Sequence, residues 1–341
     1  MLMQVSENVS FKDLTTLRLG GEISTLVEIE TPSDIQDFID QYYDSEKLIL
    51  GGGSNLVVSD EPFNGVVAKV NLQNSSISSN ELDRMVRVEA GVVWDDFVAE
   101  MVENGFAGLE NLSGIPGLVG AAPMQNIGAY GQEVSNLIQF VNVVDLNTGK
   151  WRKLDKQDLK FGYRTSALKT PEFNVIVESV EFLLKATTNS NLTTYKDLAR
   201  QLDIEPGANA SLKEIRQGIL EVRKNKGMVL DPLDHDTWSV GSFFTNPIVE
   251  ADKAPQDAVS FTVDEASVKL SAAWLIENAG FAKGFTRNGV AISSKHSLAL
   301  TNRGAGSTKD LIELAKMIQN EVIAKYGIKL EVEPTLLGIE F

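Results

Sequence analysis

The sequence predicts an α+β protein of at least two domains, on three observations. Strand-like and helix-like segments alternate through the first half, the composition turns polar after Lys185, and a long amphipathic helix lies near the end. Taking the elements in order, Ser33 is placed to cap a helix over 33–43. Ile35, Phe38, Ile39 and Tyr42 recur there at helical spacing. KLIL at Lys47–Leu50 reads as a strand running into Gly51-Gly52-Gly53-Ser54-Asn55, and 66–70 and 86–88 read as further strands. A helix over 95–104 ends at Gly105. Strands over 140–146 and 151–154 flank Asn147-Thr148-Gly149, a hairpin signal, and 175–184 is another strand.

The run ATTNSNLTT reads as a connection, which puts a division near 186–210. Ser211-x-x-Glu214 is a capping box opening a helix that runs to Lys226-Gly227. The last helix, over 307–326, starts at Ser307-x-x-Asp310 and closes at Gly327. Its stripe of Leu311, Ala315, Ile318, Val322 and Ile323 predicts one buried face. Glu331 and Glu333 fall on one face of a strand in LEVEP.

Composition removes much chemistry. The 341 residues include no cysteine, so disulfides, Cys-ligated zinc, thiolate-bound clusters and thiol nucleophiles are excluded. Only His235 and His296 are present, which leaves little room for a His-rich metal site or a Ser-His-Asp triad. A net charge of −16 argues against broad nucleic-acid or anionic-membrane binding. No cationic start precedes an apolar block, and the charge-free stretch 111–132 is too rich in Gly and polar groups for a spanning helix. The expectation is a cytoplasmic protein without metal.

Four segments carry candidate chemistry. Gly51, Gly52 and Gly53 let backbone N–H groups approach a phosphate, with Ser54 and Asn55 adding donors, or they form a plain turn. Small residues in 111–131 leave space for a close backbone or for a flat cofactor or diphosphate. Arg164, in Phe161-Gly162-Tyr163-Arg164-Thr165-Ser166, suits a bidentate carboxylate or phosphate contact, or is a turn arginine. Ser242, in Gly241-Ser242-Phe243-Phe244-Thr245-Asn246-Pro247, is a core hydroxyl or a proton donor, since no histidine is spaced to make it a nucleophile.

Together, GGGSNLVVSD, GLENLSGIPGLVGAAPMQNIGAYGQE, FGYRTS, GSFFTNP and LEVEP closely resemble the UDP-N-acetylenolpyruvoylglucosamine reductase family, in order along nearly the whole chain. LTTYKDL looks like the tyrosine-bearing loop of the longer, type I form. The resemblance implies an FAD-binding fold of the vanillyl-alcohol-oxidase type, made of two α/β subdomains (1–70 and 71–186). An α+β substrate domain follows (187–341), with a last strand able to return to the FAD domain. It implies noncovalent FAD, with Gly51, Gly52, Gly53, Ser54 and Asn55 on its pyrophosphate. Gly114, Ile115, Pro116, Gly117, Gly120, Ala121 and Gly128 would wall the flavin.

The implied reaction passes a hydride from NADPH through flavin to the enolpyruvyl ether of UDP-N-acetylglucosamine, giving UDP-N-acetylmuramate for peptidoglycan. By motif match, Arg164 and Glu333 polarise the substrate carboxylate and Ser242 protonates the adjacent carbon. Glu333 would be protonated, or would act through water or Arg164. Tyr163, Tyr195, Arg223, Lys226, Asn246 and His296 are the matched substrate contacts, whereas His235 has no match and reads as a loop residue. The same resemblance implies no obligate protein partner. An FAD oxidase of the same fold, and a flavin- or UDP-sugar-binding protein without turnover, are the alternatives. On this reading the acidity belongs to the solvated shell, and Arg164, Arg223 and Lys226 supply local positive charge.

Overall fold

The computed structural model describes residues 3–79, 83–170, 172–189, 196–205 and 207–341. Its contacts divide the chain into two units, neither continuous in sequence. The first comprises Met1–Val9, Ile23–Gly52 and Asn64–Lys224; the second comprises Ser10–Glu22, Gly53–Phe63 and Asn225–Phe341.

In the first unit, Lys47–Leu50 lies parallel to Phe63–Val70 at the edge of a four-stranded sheet. The helix Pro32–Gln41 buries Ile35, Phe38 and Ile39. Its cap is Thr31, not Ser33, with Asp34 completing the box. Pro32 explains the shift, because a residue without N–H is at home in the first helical turn. A second, antiparallel sheet runs Trp151–Asp155, Ile138–Asp145, Val175–Ala186, Asp83–Glu89, Ser75–Ser79, with Phe106–Ala107 on Val175–Ala186.

The predicted hairpin closes through Asp145 Oδ1, which accepts from Asn147 N, Thr148 N and Thr148 Oγ1. Trp94–Glu103 is helical, and Trp94, Phe97 and Phe182 form an aromatic knot within the core. The Ser211–Glu214 box forms as predicted, at the head of the helix Leu212–Asn225. Part of ATTNSNLTT, and Tyr195 with it, lies outside the described residues.

The second unit gathers short sheets around a core of its own. Ile248–Glu250, Ser267–Leu270 and Ser260–Thr262 pair antiparallel, as do Thr286–Arg287, Val290–Ile292 and Leu300–Asn302. Thr335–Leu337 runs parallel to Leu56–Val58. The helix Thr308–Tyr326 begins at the Ser307–Asp310 box and ends at Gly327, as predicted. Its buried face also takes in Ile312 and Leu314, while Ile323 is 38% exposed. The drift follows from a 3.6-residue turn over five turns of helix.

The acidic shell has exceptions. Asp34, Glu89, Glu110, Glu178 and Asp236 are buried, each held by hydrogen bonds or an arginine. Among the described residues no helix is long and apolar enough to cross a membrane, and no cluster of His, Cys, Asp and Glu could hold a metal.

Candidate active site

The strand Lys47–Leu50 delivers Gly51 and Gly52 against the loop 114–121. A methyl on Gly52 would stand 3.0 Å from Gly117 Cα, and one on Gly51 would touch Ala121 and Leu118 at 3.7 and 3.8 Å. Two backbones therefore run side by side with little between them. Gly120 has a different cause: its missing side chain makes way for Ala90, whose Cβ would lie 2.4 Å from an added methyl. Within the second unit, Gly53 (φ +59) likewise yields to its own fold, since an added Cβ would strike Leu14 O at 2.1 Å.

The loop 114–120 is docked residue by residue on 90–95. Gly120 N donates to Ala90 O, Val119 N to Val92 O and Trp94 N to Gly117 O, and Gly114 N donates to Asp95 Oδ1 at 2.6 Å. Ile115, Pro116 and Gly117 are half-buried, and Ala121 is exposed. Of the two readings left open for this stretch, close backbone packing explains both Gly120 against Ala90 and Gly117 against Gly52.

Arg164 sits in a tight turn closed by paired backbone bonds between Gly162 and Thr165, with its own φ at +55°. Segment 124–128 grips that turn at three points. Asn126 Nδ2 donates to Gly162 O at 3.0 Å, Arg164 Nη2 donates to Gly128 O at 2.7 Å, and Ser166 Oγ donates to Met124 O at 2.8 Å. Asn126 is 1% exposed and fully used, since it also donates to Glu133 Oε2 and accepts from Ser135 N. Tyr163 is 39% exposed, with the Arg164 guanidinium 5.6 Å from its ring centre.

Beyond this turn, Gly128–Ala129 and Gln132–Glu133 form a hairpin around Tyr130 and Gly131, both at positive φ. Tyr130 packs with Leu198, Ile215 and Ile219, so it rests on the helix that carries Arg223. Burial pushes the Arg223 guanidinium down from its ordinary pKa, and the charge of Arg164 acts the same way; Tyr130 and Asp95 oppose both. Arg164 and Arg223 therefore lie within electrostatic reach of one another, which makes the region attractive to anions.

In the second unit, Phe243 and Phe244 are buried and anchor the segment that carries Ser242. Glu333 N donates to Phe243 O at 3.0 Å and Thr245 N to Glu331 O at 2.9 Å, around a bridge between Phe244 and Val332. This pairing sets Ser242 and Glu333 on adjoining segments. The strand predicted for LEVEP is reduced to that bridge; Glu331 is exposed and Glu333 half-buried.

Asn246 Oδ1 accepts from Ala272 N at 2.9 Å at the start of the helix Ala272–Asn278, so its amide N–H group is the end suited to a ligand. Lys226 and His296 are half-buried in this unit. His235 is more than a loop residue, for its ring stacks on Trp238 at 4.1 Å, and Arg18 lies 4.0 Å from the centre of Trp238.

Residues 23–155 match the family model for an FAD binding domain. Residues 231–337 match that for the C-terminal domain of UDP-N-acetylenolpyruvoylglucosamine reductase. The chain is 46% identical to the UDP-N-acetylenolpyruvoylglucosamine reductase of Saccharopolyspora erythraea, over 95% of this chain and 93% of the relative. It belongs to the UDP-N-acetylenolpyruvoylglucosamine reductase family.

A second member, from Mycolicibacterium gilvum, is 44% identical over 98% of this chain and 96% of its own. The solved UDP-N-acetylenolpyruvylglucosamine reductase of Thermus caldophilus superposes with a TM-score of 0.70 at 27% identity, covering 98% of this chain and all of that one. As a member of the reductase family the chain is an oxidoreductase with FAD as cofactor, on the vanillyl-alcohol-oxidase type of FAD fold expected from its motifs.

The residues present fit that cofactor. Gly51 and Gly52 have no side chain to screen their backbone N–H groups, the kind of donor that a pyrophosphate takes. Sequence reasoning missed Asp95, Asn126 and Tyr130 as supports of the site. The last two stand inside QNIGAYG, whose specificity was legible while their partners were not.

Proposed function

We propose that this enzyme reduces the enolpyruvyl ether of UDP-N-acetylglucosamine to UDP-N-acetylmuramate in the cytoplasm, with NADPH as hydride donor and FAD bound noncovalently. Identity of 46% along nearly the whole chain to a reductase of that name supports the reaction. The pairing of Phe243 with Glu333 is the observation that carries the residue roles. When bound, FAD supplies a two-electron relay from nicotinamide to alkene.

Hydride arriving at the terminal alkene carbon leaves negative charge on the carbon beside the carboxylate. Arg164, steadied by Gly128 O, supplies the planar guanidinium that stabilises this enolate, and Glu333 assists in holding the carboxylate. Ser242 gives its proton to the carbanionic carbon, a base strong enough to take one from an alcohol.

Gly51, Gly52, Gly53, Ser54 and Asn55 serve the FAD pyrophosphate, and Gly114, Ile115, Pro116, Gly117, Gly120, Ala121 and Gly128 the flavin. Tyr163, Tyr195, Arg223, Lys226, Asn246 and His296 hold the nucleotide-sugar. No obligate protein partner is involved, and the subdomain boundaries fall near 70 and 186.

The test is anaerobic. NADPH should bleach the flavin of the wild type, and the enolpyruvyl substrate should restore its colour. In Ser242→Ala the first step should persist, while recolouring should slow by roughly 10²–10⁴. Equal slowing of both steps would make Ser242 structural, and recolouring by oxygen alone would make the enzyme an oxidase.

A further inference from the structure

Asp95 stands at the meeting point of three segments distant in sequence. It opens the helix Trp94–Glu103, its Oδ1 accepts from Gly114 N at 2.6 Å, and Arg216 clamps it with both guanidinium nitrogens, Nη1 to Oδ1 at 2.6 Å and Nη2 to Oδ2 at 2.9 Å. An acid in the first turn of a helix is ordinary. A carboxylate that also receives a loop N–H and a bidentate arginine is a joint.

What it joins matters. Gly114 begins the loop whose Gly117 faces Gly52, and Arg216 lies on the helix Leu212–Asn225, on the same face as Arg223 two turns further on. The Arg216 side chain is 16% exposed and that of Asp95 32%, so the pair is partly shielded from solvent. Burial alone would raise the Asp95 pKa, but the Arg216 and Gly114 hydrogen bonds and the charges of Arg216 and Arg223 lower it. The carboxylate is therefore charged at neutral pH, as the clamp requires.

We propose that Asp95 and Arg216 are positioning residues: their clamp fixes the helix bearing Arg223 against the Gly114–Gly117 loop, and so sets how tightly anionic nucleotide substrates are held. The clamp also consumes the charge of Arg216, leaving Arg164 and Arg223 as the guanidiniums that address ligand. This rests on the reading of Arg223 as a substrate contact.

The holoenzyme tests it. Arg216→Ala should raise KM for the enolpyruvyl substrate about tenfold, the order expected for loss of a charge-assisted pair, with kcat within about twofold and flavin content unchanged. Arg216→Lys should recover only part of the loss, because one ammonium cannot span both carboxylate oxygens. Should Arg216→Ala fail to fold, Asp95→Asn, which still offers Gly114 an acceptor, should show the same KM shift.

An unchanged KM in a variant that keeps its flavin would overturn the proposal. So would full rescue by lysine, or equal KM in Arg216→Ala and wild type with only the melting temperature lowered. The underlying reading is judged separately on the wild type: if the enolpyruvyl substrate does not recolour reduced flavin there, the function is wrong whatever Arg216 does.

Discussion

Two stretches of this chain lack charge, and they are held by different mixtures of burial and hydrogen bonding. In the first unit, 111–132 is irregular backbone that sinks Leu112, Val119 and Ile127 into the core and adds polar ties: Asp95 on Gly114, Asn126 on Gly162 and Ser135, and Asn111 on Tyr130 O. In the second, 237–249 is pinned by burial of Val240, Phe243 and Phe244, with backbone pairing to 331–333. Both stretches have a hydrophobic anchor, and the first adds side-chain hydrogen bonds to it.

The contrast can be broken hardest at Phe244. Phe244→Ala should cost about 3–5 kcal/mol, read as a shift in denaturant midpoint, because a fully buried ring leaves a cavity. A loss under about 1 kcal/mol would mean that the second stretch is not anchored by its aromatics. Asn126→Ala should cost less, about 1–3 kcal/mol, because the buried amide that serves Gly162 O, Glu133 and Ser135 N is lost. It should also slow substrate reduction more than flavin reduction, since the Arg164 turn loses a support. Equal effects on both steps would confine Asn126 to stability.

The smallest effect sharpens the comparison, because a polar tie also leads into the second stretch. Burial tends to raise the Asp236 pKa, but hydrogen bonds from Ser294 and the charge of Arg303 bring it below the ordinary carboxylate value of 3.8. Its stabilising contribution is thus complete above about that value and disappears as pH falls through the lower folded value. Asp236→Asn should flatten the acid limb of a stability curve measured between about pH 5 and pH 2. An unaltered limb would show that Asp236 carries no such linkage.

Helices and most strands were legible because their signals are local. The Ser307 and Ser211 boxes, the Asp145 hairpin and the Lys47–Leu50 strand depend on residues a few positions apart. The site was legible only as motif. Three glycines in a row look alike, yet Gly52 lies against Gly117 and Gly53 against Leu14 O. Which purpose each serves depends on what the fold brings from elsewhere. Ala90 beneath Gly120 and Arg216 on Asp95 are such arrivals, and no periodicity announces them. The cap at Thr31 was missed for a local reason, since Pro32 starts the helix earlier than Ser33 suggests.

The strand Leu56–Val58 is wholly buried, and its partner Thr335–Leu337 comes last among the strands of the described residues. On a ribosome the first is made long before the second exists. Three consecutive apolar residues must therefore wait, without their sheet, while every residue between the two strands is made. Completion of the second unit is postponed until Thr335–Leu337 has left the ribosome, and through that interval the waiting strand is open to wrong pairing.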